Sequence, residues 1–116
     1  MARQKARDFS HIPDQQLELI AHCFQALSDP TRLKMLQVLK TGSRSAQDLG
    51  ELFTCSQPNI SRHLSILTAA GLVTKTKQGS FVMYSVANQG IYGLCDQVCG
   101  HVQGMIRKYM GKGNQG

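Results

Sequence analysis

The chain has no tryptophan, only three prolines in 116 residues, and only 7 acidic side chains against 13 Lys+Arg. The shortage of acids leaves a formal charge of +6 and a pI of about 9.4. Such a balance favours a polyanionic partner, nucleic acid before a membrane surface. No apolar run approaches the roughly 18 residues that span a bilayer. The opening MARQKARDF is basic with no apolar stretch behind it, so no secretory signal and no membrane association are expected, and the cytoplasm is the expected compartment. There is no paired-carboxylate motif, nucleophile–base arrangement or phosphate-binding glycine loop, which argues against an enzyme. In a reducing compartment the four cysteines are not a disulfide framework; they read as core, metal-binding or redox-sensing groups.

What is present suits one small folded domain: 41% hydrophobic and 17% charged residues. A chain this short buries a modest core, and dimerisation commonly adds to it. The polar, basic stretch 1–10 reads as a loose arm, 11–111 as the domain and 112–116 as a loose tail.

Leu17, Ile20, Ala21, Phe24 and Leu27 repeat with a helical period. Ser28-Asp29-Pro30 ends that helix and caps the next, PTRLKMLQVLKTG, which is expected to bury Leu33, Leu36, Val38 and Leu39 and to stop at Gly42. Ser45, with Asp48 three residues on, opens a short third helix in capping-box fashion. Ser56 caps a fourth, whose Ile60, Leu64 and Leu67 point inward and which closes at Gly71. LVTKTK and FVMYSVA, joined through Gln78-Gly79-Ser80, read as a two-stranded hairpin. A last helix runs from about Gln89 to Met110 with Ile91, Leu94, Cys95, Val98, Cys99, Val102, Met105, Ile106 and Tyr109 along one stripe.

The expected fold is therefore mostly α with a β-hairpin wing, in the order α-α-α-α-β-β-α, a winged helix-turn-helix. The fourth helix would enter the major groove of double-stranded DNA. Ser56, Gln57, Asn59, Ser61, Arg62 and Ser65 are its candidate contacts, and Lys75, Lys77 and Gln78 of the wing would lie on the backbone or minor groove. Arginine chelates guanine, Asn or Gln chelates adenine, and hydroxyls and helix N-terminal amides bind phosphate. His63, beside the apolar stripe, reads as a packing or phosphate-contacting residue. Between Pro30 and Val86 seven Lys/Arg face two acids, so +5 of the +6 lies in this unit. DNA binding by such a unit needs no cofactor.

ALSDPTRLKMLQVL, SQPNISRHLSILTAAGLV and KQGSFVMYSVA together closely resemble the ArsR/SmtB family of bacterial metal- and stress-responsive repressors, over about residues 17–110. The resemblance implies a homodimer joined through its first and last helices, and a repressor that leaves its operator when an inducer binds. It also implies places to look for the inducer. The family's C-x-C-D-L thiolate site falls on Ser45-Ala46-Gln47-Asp48-Leu49 and has lost both cysteines. The zinc-type site of the last helix falls on Asn88, Gly90, His101 and Gly104, where one imidazole cannot hold a tetrahedral zinc. The second-helix cysteine of the persulfide sensors falls on Gln37.

Cys95 and Cys99 remain, at i and i+4 on one helical face. The pair suits a soft centre such as As(III), Sb(III), a monosubstituted arsenical, Cd(II) or Hg(II). Trivalent arsenic prefers three sulfurs, and Cys23 or Cys55 is the candidate third. Oxidation of the thiols, or simple packing of two small apolar residues, are the alternatives.

Overall fold

A computed structural model describes residues 8–54 and 56–110. Residues 1–7, Cys55 and 111–116 lie outside the described residues, and with them most of the expected basic arm, the tail and one candidate sulfur. After a 3₁₀ turn at Phe9–His11 the chain runs through α1 (Asp14–Leu27), α2 (Pro30–Leu39), β1 (Arg44–Ser45), α3 (Ala46–Leu52), α4 (Gln57–Ala69), β2 (Val73–Gln78), β3 (Phe81–Val86) and α5 (Ile91–Tyr109). This is the expected order with one addition. β1 pairs with the outer edge of β3, Arg44 opposite Tyr84 and Ser45 opposite Met83, making a three-stranded antiparallel sheet in the order β1-β3-β2. Two residues are too few to show strand periodicity in sequence; the open edge of β3 recruits them.

Local chemistry sets the element ends. Asp29 accepts the Arg32 N–H at 3.1 Å and Pro30 occupies the first turn of α2. Ser45 and Asp48 form a reciprocal capping box, at 3.0 and 3.2 Å. Gly71, at φ +77, ends α4 in a Schellman arrangement, with Leu72 N–H on Leu67 O and Gly71 N–H on Thr68 O, both 3.0 Å. In the wing, Gln78 pairs with Phe81 across Gly79-Ser80. Gly79 has φ +62 and no described non-glycine residue has a positive φ, so the turn is type II′.

The core sits where α2, α3 and α4 meet the base of the wing: Met35, Leu36, Leu39, Leu49, Ile60, Leu64, Leu67, Leu72 and Val73. The expectation for α2 needs one correction. Met35 is fully buried, while Leu33 is 41% exposed. Leu33 falls roughly a third of a turn round the helix from the Met35–Leu36–Leu39 face. The outer helices contribute little: Ala26 is the only buried residue of α1 and Tyr92 the only one of α5. Their long apolar stripes stand open, with Phe24 and Val98 each 51% exposed.

Candidate nucleic-acid interface

α4 is an amphipathic helix whose two faces have different tasks. Ile60, His63, Leu64 and Leu67 are buried, whereas Gln57, Asn59, Ser61, Arg62 and Ser65 are exposed. α3 braces α4 from behind, and the Gln57 side chain lies directly over Gly50 of α3, where a Cβ would collide with it. Nothing in the sequence marks Gly50 for this task, because the contact exists only once the two helices cross. Ser56 stands at the N-cap of α4, yet its side chain makes no capping bond and is exposed. It was expected to cap the helix; its hydroxyl is left available beside the positive end of the helix dipole.

β2 leaves the end of α4 and projects Lys75, Lys77 and Gln78, all exposed, toward the turn. Among the described residues both carboxylate ion pairs involve a histidine, so no lysine or arginine there is neutralised by an acid. The free cations of α4 and the wing match what phosphate binding requires.

Three of the seven basic residues counted in this unit have internal work instead; Arg44 donates to Ser43 O at 3.0 Å and to Thr41 Oγ1 at 3.2 Å. Lys40 lies over the Tyr92 ring at 5.2 Å. The Arg32 guanidinium donates from Nε to Ala26 O at 2.6 Å and from Nη2 to Gln25 O at 3.2 Å, and Nη1 lies 3.1 Å from His63 Nδ1. His63 is thus turned away from the outer face of α4 and 8% exposed, its ring nitrogen also 3.9 Å from Asp29 Oδ2. Of the two roles expected for it, packing is the one this burial supports. The Arg32 N–H, and then the Arg32 charge, hold the Asp29 carboxyl below the usual carboxylate range.

The cysteines separate into two places. Cys95 and Cys99 line one open groove of about 730 Å³, walled by Phe24 and Leu27 of α1, Leu36 of α2 and Val98 and Val102 of α5. Cys95 is half-buried and Cys99 exposed. Cys23 lines a different cavity, against Ile66 and Ala69, and its thiol points to Ala70 O at 3.5 Å. Among the described residues no three His, Cys, Asp or Glu side chains converge to hold a metal ion. One turn before Cys95, the Tyr92 hydroxyl donates to Leu36 O at 2.6 Å, tying α5 to α2. Burial, and then the neighbouring Cys95, push the Tyr92 phenol upward.

Residues 29–75, from the α2 cap through α4 into the wing, match the family described as "Bacterial regulatory protein, arsR family". The transcriptional repressor SdpR of Bacillus subtilis is 46% identical over 63 residues, 54% of this chain and 70% of that protein. The probable mercury resistance operon repressor of Streptomyces lividans is 36% identical over 85 residues, 73% of this chain and 68% of the relative. The chain belongs to the arsR family. Among solved structures, M. tuberculosis Rv0081 superposes with a TM-score of 0.74 at 25% identity, over 83% of this chain and 97% of that one.

As an arsR-family member it is a DNA-binding transcriptional regulator and not an enzyme. The family positions already found empty of ligands in the sequence are occupied in ways that suit other tasks. Ser45 and Asp48 cap α3, and Asn88 Oδ1 accepts the Gly90 N–H at 2.8 Å just ahead of α5. His101 is exposed on α5. None of the described helices is long and apolar enough to cross a membrane.

Proposed function

We propose that this arsR-family regulator acts in the cytoplasm as a homodimeric repressor, docking α4 in the major groove of operator DNA and its wing beside it. Ser56, Gln57, Asn59, Ser61, Arg62 and Ser65 make the groove-side contacts, and Lys75, Lys77 and Gln78 the backbone contacts. The observation that carries this reading is the exposed polar face of α4, continuous in sequence with a wing whose cations have no acidic partner among the described residues.

The inducer is a thiophilic metalloid or metal of the As(III)/Sb(III) type, taken by Cys95 and Cys99. Support comes from two thiols one helical turn apart in one groove, and from a relative whose name carries mercury resistance. A third sulfur from Cys23 would have to come from the second subunit, since within one subunit it lines a separate cavity; Cys55 is the other candidate. The exposure of Cys99 favours thiol oxidation as a second reading.

The test uses duplexes selected from a random-sequence pool, with binding followed by fluorescence anisotropy as arsenite, antimonite, Cd(II), Hg(II), peroxide and persulfide are added in turn. Arsenite or another soft ion is expected to release the DNA from the wild type but not from Cys95→Ser or Cys99→Ser. Equal responses in the wild type and both variants would remove the thiol pair from the mechanism. Release by peroxide or persulfide alone would replace metal sensing with oxidation.

A further inference from the structure

We propose that Arg32 and His63 form a latch that sets the reading helix against α1, with His63 a positioning residue of operator binding rather than a contact to DNA. This rests on the DNA-binding reading above and adds to it the path by which the outer helix reaches α4.

One guanidinium serves two helices. Its Nε and Nη2 hold Ala26 O and Gln25 O, in the last turn of α1. Gln25 O also accepts the Ser28 N–H at 3.1 Å and the Ser28 hydroxyl at 2.7 Å, and a cation suits the negative end of the dipole. The third nitrogen, Nη1, meets His63 Nδ1 at 3.1 Å from the inner face of α4. An arginine can only donate, so Nδ1 must accept, and the ring proton of neutral His63 sits on Nε2. Asp29 Oδ2, at 3.9 Å, is beyond hydrogen-bonding distance of that nitrogen. Asp29 is engaged instead by the Arg32 N–H, which anchors the stem of the same arginine. The arginine is therefore held at both ends and the imidazole at one. A shift of α1 relative to its own subunit drags the guanidinium, and with it the middle of the helix that must fit the groove. His22 and Cys23 of α1 line the same cavity as Arg32, together with Ile66 of α4, so this corner has room to move.

The test has two arms. Long-range ¹⁵N–¹H correlation of the imidazole rings in the free wild-type protein is expected to show His63 as the Nε2–H tautomer; the Nδ1–H tautomer would overturn the latch whatever the protein does with DNA. In the second arm, His63→Leu leaves one half-buried arginine donor unmet and is expected to weaken operator binding on the order of tenfold. Arg32→Ala is expected to cost a similar factor, and the double variant no more than either single one. His63→Asn puts Oδ1 where Nδ1 was and is expected to restore affinity to within about twofold of wild type. A His63→Leu protein that binds like wild type, or an Asn variant no better than Leu, would sink the positioning role. A wild type that bound no DNA, with His63 still Nε2–H, would support the latch as a helix-to-helix contact and sink the operator reading.

Discussion

Single side chains carry more of this structure than their residue types announce. Tyr92 is the one buried residue of α5, and its hydroxyl reaches Leu36 O at 2.6 Å. Tyr92→Phe should lower stability by about 1 kcal/mol, read as a drop in the urea midpoint with an unchanged slope. The loss is modest because Leu36 O keeps the Lys40 N–H at 3.1 Å. Arg32 teaches the complementary point. In the sequence it is one of seven basic residues and counts toward a DNA-binding charge, yet its guanidinium is occupied by Gln25, Ala26 and His63. The Asp29 cap three residues earlier was legible because it is local. The His63 partner was not, because it lies 31 positions away.

At the scale of elements, the outward set on α4 was legible almost completely. Once Ile60, Leu64 and Leu67 are assigned inward, the helical period assigns Pro58, Arg62 and Ser65 outward with Asn59 and Ser61 flanking them, and all five are exposed. The wing was legible for a different reason: a Gly in the first turn position matches the twist of flanking strands. On the function proposed above, Lys75 and Lys77 are phosphate contacts rather than base readers. Replacing both by alanine is expected to weaken all duplexes alike and to reduce the slope of log K against log salt by about 2, measured by anisotropy across a salt series. A change in sequence preference with an unchanged slope would assign them to base reading instead. β1 was not legible, since a two-residue strand has no pattern of its own and depends on the edge of β3.

The whole molecule is larger than its own core explains. Its radius of gyration is 17.3 Å, against about 13 Å for a compact chain of this length. The excess fits α1 and α5, whose apolar stripes find little cover within the subunit. A second copy covering them is the arrangement proposed above, and it places Cys95 and Cys99 beside the joint. Val102 stands on that stripe, 45% exposed. Val102→Glu should convert a dimer into a monomer at micromolar concentration, seen by sedimentation equilibrium, because an unpaired carboxylate would have to be buried at the interface. Operator affinity should fall with it, since two reading helices about 34–36 Å apart are needed to engage successive major grooves. A wild type that sediments as a monomer would overturn this arrangement.

The sequence by itself determined the number and order of helices, the caps at Asp29 and Ser45, the stop at Gly71, the wing turn and the outward face of α4. Each depends on neighbours within a few positions, through helical period, capping bonds or turn geometry. Only the tertiary structure decided that His63 turns inward onto Arg32, that the Gln57 side chain lies over Gly50, that the Tyr92 hydroxyl ties α5 to α2, and that Cys23 parts company with Cys95 and Cys99. Those outcomes depend on which surfaces meet when the helices cross, and residues far apart in the chain carry no local mark of that meeting.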